Sequence, residues 1–160
     1  MRFTPPLWRA VSTALALGAL VIMSAPAARA ALGGSADSVN TDSHALRGQL
    51  RSIPYVLYDV KEIDTGPVTV REYVTRSGQV FAVTWQGPVP PDLRALLGTY
   101  FGRFQSAAAA AHRANPGIRR ELQITQSDLV VQSGGRLRSF HGIAYLPSLL
   151  PDGVSVSQLQ

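Results

Sequence analysis

Residues 68–85 read VTVREYVTRSGQVFAVTW, and this stretch decides the fold class. Both of its ends are rich in β-branched and aromatic residues, which favour strands, and Ser77-Gly78 between them suits a tight turn. The stretch therefore predicts two antiparallel strands, Val68–Thr75 and Val80–Trp85. Because side chains alternate along a strand, Phe81 is expected on the same face as Trp85.

The flanking segments enlarge this hairpin into a sheet. Tyr55–Val60 predicts a preceding strand, joined through a turn at Gly66-Pro67, which gives a three-strand meander. Asp128–Gln132 and Leu137–Tyr145 flank a glycine pair and predict a second hairpin. Since the strands come in runs and do not alternate with helices, the sequence predicts an α+β fold with an antiparallel sheet of about five strands.

Two helices and a C-terminal segment complete the expected fold. After Pro91-Asp92, apolar residues recur at helical spacing from Leu93 to Phe104, which predicts one long amphipathic helix that ends at Asn115 and covers the sheet. A short N-terminal helix is expected from Ser35 to about Arg47. The proline- and glycine-containing segment after residue 145 is expected to lie over the surface as an irregular strap.

The first 30 residues have the pattern of a cleaved signal peptide. Arg2 and Arg9 are followed by fourteen uncharged residues, 10–23, fewer than the roughly 18–20 that a membrane-spanning helix needs. Ala28 and Ala30 are spaced as signal peptidase requires, so cleavage is expected before Ala31. An uncleaved N-terminal anchor is the alternative. We therefore predict an exported protein, periplasmic or secreted, with one α+β domain in residues 31–160 and no membrane span after cleavage.

Composition excludes several classes of protein. The chain has no cysteine, which excludes disulfides and thiolate metal sites. After cleavage it keeps twelve basic and ten acidic residues, a net charge of +2 without a basic stripe, so nucleic-acid binding is rejected. No phosphate-binding glycine loop and no nucleophile elbow occurs. We predict no cofactor and no metal, and the sequence favours a protein that is not an enzyme.

Three residues are weak candidates for acid–base chemistry. Glu72 alternates with Val70, and burial would raise its pKa and suit it to act as a general acid or a ligand anchor; we favour a position in water. His141 alternates with Ile143, and we favour a packed core histidine over a catalytic base. Asp59 is the third candidate. A small periplasmic hydrolase that used these groups would need them to converge in one pocket.

Four aromatic residues on the meander are candidates for binding: Tyr55, Tyr58, Tyr73 and Trp85. Tyrosine and tryptophan combine an apolar ring with a polar O–H or N–H group. They therefore suit sites that are partly exposed to water, and they could line a groove. Packing of the sheet is the favoured alternative.

Five segments occur in an order that indicates a family: REYV (71–74), QVFAVTWQGP (79–88), DLRALLGTYF (92–101), SDLVVQSGG (127–135) and AYLPSLLP (144–151). Together they resemble a family of exported proteobacterial proteins, domain-of-unknown-function family 2844, over nearly all of residues 31–160. The resemblance implies a bacterial source, and therefore the periplasm or beyond. The resemblance implies no catalytic residue, ligand or cofactor for this chain.

The export signal, the missing catalytic motifs and the aromatic sheet lead to one functional expectation. The chain is expected to be a cofactor-free exported binding or accessory module that contacts an envelope protein or another envelope component. The contact is expected through a sheet face or an open sheet edge.

Overall fold

The computed structural model describes residues 32–114 and 121–159. Within these residues, seven antiparallel strands form one sheet in the order β1-β2-β3-β4-β7-β6-β5. The strands are β1 (Gln49–Pro54), β2 (Tyr58–Asp64), β3 (Thr69–Thr75), β4 (Val80–Gly87), β5 (Glu121–Thr125), β6 (Val130–Arg136) and β7 (Ser139–Tyr145). The predicted α+β class, the meander and the second hairpin are confirmed, but the predicted number of strands is too low.

The two strands that the sequence did not predict, β1 and β5, lie at the edges of the sheet. Edge strands have little apolar alternation: five of the six residues of β1 are exposed. The predicted strand Tyr55–Val60 corresponds to β2, but its predicted start is wrong, because Val56 and Leu57 form the tip of the β1–β2 hairpin. The Tyr55 N–H donates to the Tyr58 carbonyl at 2.9 Å and closes that hairpin.

A β-bulge on β4 changes the predicted side-chain faces. Tyr73 pairs with Ala82, whereas Val74 pairs with Val80, so Phe81 has no partner of its own on β3. An extra residue of this kind reverses the alternation that follows it. Phe81 therefore packs on the face opposite Trp85, and the expectation that they share a face is wrong.

The turn of the β6–β7 hairpin is displaced from its predicted position. Arg136 pairs with Ser139, so Leu137 and Arg138 form the tip, and the glycine pair lies inside β6. A Cβ atom on Gly135 would lie 2.8 Å from the Ser139 carbonyl oxygen. Glycine is thus required there for close approach of the two strands.

Helices cover one face of the sheet, called here the helix face. They are α1 (Ser38–Ala45), α2 (Leu93–Leu97) and α3 (Phe101–Ala114). Leu96, Leu97 and Phe104 pack into the core of this face. The predicted long helix is present as α3, but its first turns are separate, because Gly98 has φ +51° and ends α2 before a 3-10 turn leads into α3.

The N-terminal end of α2 is capped by a local side chain, and α1 begins later than predicted. The Asp92 carboxylate accepts the backbone N–H groups of Arg94 and Ala95, as an N-cap does. The predicted N-terminal helix is present, but it begins at Ser38. Ser35 lies before the helix and forms an isolated bridge with Gln79.

Residues 146–159, called the strap, cross the other face of the sheet. Val154 and Leu159 are buried there against Tyr73 and Phe81. The Tyr73 hydroxyl donates to the Leu159 carbonyl at 2.7 Å. Burial raises the pKa of Tyr73, so this hydroxyl stays protonated and able to donate. The strap thus lies over the sheet as the sequence predicts.

Candidate functional site

The strap covers only one end of its face of the sheet. Under it lies a row of cross-strand neighbours that includes Val60, Tyr73 and Ala82. The next two rows are mostly polar, and we call them the open face. They contain Glu62, Arg71, Thr84, Ile143, Gln132 and Gln123, and then Asp64, Thr69, Gln86, His141, Gly134 and Glu121.

A cavity of about 330 Å³ lies on the open face, with lining residues from β3, β4, β5, β6 and β7. Five of the lining residues form its polar centre: Arg71, Thr84, Gln86, Gln132 and His141. Its volume is at the lower end of the roughly 300–1,000 Å³ typical of ligand pockets. The cavity therefore has the size for a small ligand or for one unit of a larger one.

One glycine helps to shape this cavity, and a second makes room for a ring on the opposite face of the sheet. Gly134 pairs with both His141 and Glu121, so the position between those two residues carries no side chain. Gly142 lies next to Trp85, whose ring is only 3% exposed and packs in the helix-face core. A side chain at either position would take up space that is now empty or filled by the tryptophan ring.

Arg71 is held in place at one end of the cavity. Its Nε donates to the Glu62 carboxylate at 2.8 Å, and Arg51 donates to the other oxygen of that carboxylate at 2.6 Å. The hydrogen bond from Arg71 lowers the pKa of Glu62, and Arg51 reinforces this effect. Within residues 32–114 and 121–159, the terminal nitrogens of Arg71 have no protein partner. Arg71 thus presents oriented donors to the cavity.

The remaining polar groups of the cavity have a shared chemistry. A glutamine amide, a threonine hydroxyl and a neutral imidazole can each donate and accept hydrogen bonds. Gln86 and Gln132 have this dual capacity at the cavity surface, and the His141 ring lies beside them. Thr84 is buried and its hydroxyl hydrogen-bonds to the Tyr73 oxygen, so it contributes less to the surface. The site is suited to hydrogen-bond a polar ligand.

His141 is exposed on this surface, so the favoured interpretation of a packed core histidine is wrong. Ile143, two residues further along β7, is 2% exposed. Alternation places both side chains on the same face, but the face is apolar near the strap and polar beyond it. Sequence alternation alone could not show where the strap ends.

Glu72 is fully buried, with 0% exposure, so the favoured interpretation of a position in water is also wrong. It lies on β3 between Val70 and Val74 and pairs with Val83, all three of which belong to the helix-face core. Glu72 therefore lies on the face of the sheet opposite His141.

The three acid–base candidates do not converge. Asp59 lies at the start of β2, where its carboxylate pairs with Arg76 at 3.2 Å. It does not line the cavity, and neither does Glu72. The condition on which the hydrolase alternative depended is not met by these three residues.

The aromatic candidates divide between two places. Tyr55 stacks on Tyr58 with ring centroids 5.1 Å apart, and Tyr58 contacts Tyr73 at 5.8 Å. Tyr58 and Tyr73 are buried, and Tyr55 is 49% exposed. Trp85 lies in the helix-face core. The four side chains therefore do not form one surface, and Tyr55 alone among them is available to a partner.

Sequence reasoning missed most of the cavity, in particular Arg71, Thr84, Gln86 and Gln132. The sequence did contain a signal for two of these residues, because Thr84 and Gln86 alternate with the apolar Val83 and Trp85. It indicates a polar face, but only the strand order places these residues beside His141.

Two negative findings apply to the described part of the chain. Among residues 32–114 and 121–159, no three histidine, aspartate or glutamate residues are grouped as a metal ion would require. Over the same residues, no helix has the length and apolar character needed to cross a membrane. The predicted signal peptide and its cleavage residues Ala28, Ala30 and Ala31 lie outside the described residues.

The fold and the cavity define the chain as an α+β protein with helices on one face of an antiparallel sheet and a polar cavity on the other. The chain belongs to the family described as "Protein of unknown function (DUF2844)", whose family model matches residues 28–159. The family resemblance expected from the five segments is thereby confirmed. Comparisons with curated proteins and with solved structures gave no match.

Proposed function

We propose that this protein is a cofactor-free, exported binding or accessory module of the bacterial envelope, periplasmic or secreted, and that the cavity on the open face is its binding site. The observation that carries this proposal is the cluster of Arg71, Thr84, Gln86, Gln132 and His141 around an open volume of about 330 Å³. The partner is a component of the envelope, either a protein or a smaller molecule.

The position of the cavity in the sheet supports a binding role. Its central strands β3, β4, β7 and β6 each have a neighbour on both sides, so their backbones are fixed by two ladders. Side chains on such a framework lose little further freedom when a ligand binds. A site of this kind is pre-organised for its ligand.

Export is the second part of the proposal, and it rests on residues 1–30. Expression of the full chain in a bacterial host, followed by fractionation and intact-mass measurement, tests it. The expected product begins at Ala31 and is found in the periplasm or the medium. A product that retains Met1 and stays with the cytoplasm or the inner membrane would contradict export.

Binding at the cavity is tested by site-specific photo-crosslinking in living cells. A photoreactive amino acid replaces Gln86, which lines the cavity, or Gln49, an exposed glutamine of edge strand β1 on the same face. A discrete adduct is expected at position 86 and none at position 49, with mass spectrometry identifying its chemical class. Equal labelling at both positions, or none at position 86, would reject the cavity as the site.

A further inference from the structure

We propose that the ligand of the open-face cavity is a neutral carbohydrate, recognised as one or two sugar rings. This inference rests on the proposed binding function and names the ligand class for the same site. It follows from the hydrogen-bonding chemistry of the lining, from the charges around it, and from the strands that carry it.

The hydrogen-bonding chemistry of the lining matches hydroxyl groups. Gln86 and Gln132 can each donate and accept, which is also true of every sugar hydroxyl, and the His141 ring lines the cavity beside them. The terminal nitrogens of Arg71 add paired donors that fit two neighbouring oxygens. A phosphate or carboxylate, which only accepts, would leave the acceptors of this lining unused.

The charges on the open face favour a neutral ligand. Arg51 and Arg71 share the carboxylate of Glu62, and Asp64 adds a second acid beside them. Glu121 lines the opposite side of the cavity. Arg136, one row beyond Gly134 on the same face, adds a third guanidinium group. Among the described residues the three acids therefore offset three guanidinium groups, and an anion would gain little net attraction.

The position of the site in the sheet disfavours an extended peptide. Peptides often bind a sheet by adding a strand, which needs unpaired backbone groups at an edge. The polar centre of the cavity is built on β3, β4, β6 and β7, which are interior strands whose backbones are already paired on both sides. The polar centre of the site therefore offers a ligand side-chain groups and no unpaired strand backbone.

The test is an NMR titration of the isotope-labelled protein, purified after expression of the full chain. The probes are four neutral disaccharides: cellobiose, lactose, maltose and N,N′-diacetylchitobiose. Sodium glucuronate and triglycine serve as the anionic and peptide comparisons. At least one disaccharide at millimolar concentration should shift the amide signals of residues 84–86, 132–134 and 141–143, with weaker or no shifts from the two comparison probes.

Variants establish whether the shifts come from the cavity. Gln86→Leu and Gln132→Leu should each weaken disaccharide binding about tenfold, the usual effect of losing one hydrogen-bonding side chain. Gln49→Leu, the same change on the same face but outside the cavity, should leave the affinity unchanged. Equal losses in all three variants would overturn the assignment.

The failure of this inference is distinguishable from failure of the proposed function. Tighter binding of triglycine or glucuronate at the same amides would overturn the carbohydrate assignment while leaving a binding site at the cavity. A protein adduct at position 86 with no response to any disaccharide would do the same. The absence of both an adduct and a response would overturn both proposals.

Discussion

The close approach of β7 to Trp85 makes Gly142→Ala a sharp test of the structure. A Cβ atom at position 142 would lie 2.5 Å from Cε2 of Trp85, closer still to Cζ2, and 2.7 Å from the backbone carbonyl oxygen of Gln132. The tryptophan ring is rigid and packs in the helix-face core, so it cannot turn aside into solvent. Either the ring or the strand must move.

The expected cost follows from the nature of these contacts. Adding a methyl group to a well-packed core typically costs about 1–3 kcal/mol of unfolding free energy. Because a ring and a backbone group both obstruct the new atom, we expect about 3 kcal/mol for Gly142→Ala. Gly102→Ala on α3 is the matched control, since its Cβ would meet nothing within 4 Å. It should stabilise the protein by up to about 1 kcal/mol, through better helix propensity.

Urea unfolding followed by circular dichroism measures both changes. With an m-value of about 1–3 kcal/mol per molar urea, Gly142→Ala should lower the unfolding midpoint by at least about 1 M. In a Trp85→Leu background, which removes the ring, the cost of Gly142→Ala should fall by about 1 kcal/mol or more. A Gly142→Ala protein within about 0.5 kcal/mol of wild type, or an unchanged cost without the ring, would refute this reasoning.

Three further predictions concern single contacts. Tyr73→Phe removes the donor to the Leu159 carbonyl and should cost about 1–2 kcal/mol in urea unfolding, with faster amide hydrogen exchange in the strap; unchanged exchange would argue against the contact. Arg71 holds the folded-state pKa of Glu62 below its unfolded value, so the stabilisation it gives is present above pH 4.5 and is lost as pH falls through the folded pKa. The stability difference between wild type and Glu62→Gln, from urea unfolding at several pH values, should therefore shrink on acidification, and a difference independent of pH would contradict the pairing. Asp92→Ala removes the N-cap of α2 and should cost about 0.5–2 kcal/mol, whereas Asp92→Asn, which keeps an accepting oxygen, should cost less.

The strands that face the core on both sides could be predicted from their residues. Valines and aromatics occupy three of the seven positions of β3 and four of the eight positions of β4, and Gly78 between the strands marks the turn. The edge strands could not be predicted in this way, because β1 buries almost nothing and is formed through pairing with β2. The position of a turn also depends on its partner strand, as the glycine pair inside β6 shows.

The burial of individual side chains was the least predictable property. Glu72 and His141 each alternate with apolar residues, yet the first is buried and the second is exposed. Alternation assigns a side chain to a face, but a neighbour distant in sequence decides whether that face is covered. The helices cover the face of Glu72, whereas the strap ends before it reaches His141.

The sequence by itself determined the α+β class, the meander, the hairpin of β6 and β7, and the membership of the family. These properties depend on local preference and on short-range patterns that each segment carries alone. Tertiary structure decided the order that places β7 beside β4, the bulge that reverses Phe81, and the cavity around Arg71, Gln86, Gln132 and His141. A cavity consists of space between elements, and its shape is fixed only when strands far apart in the chain have paired.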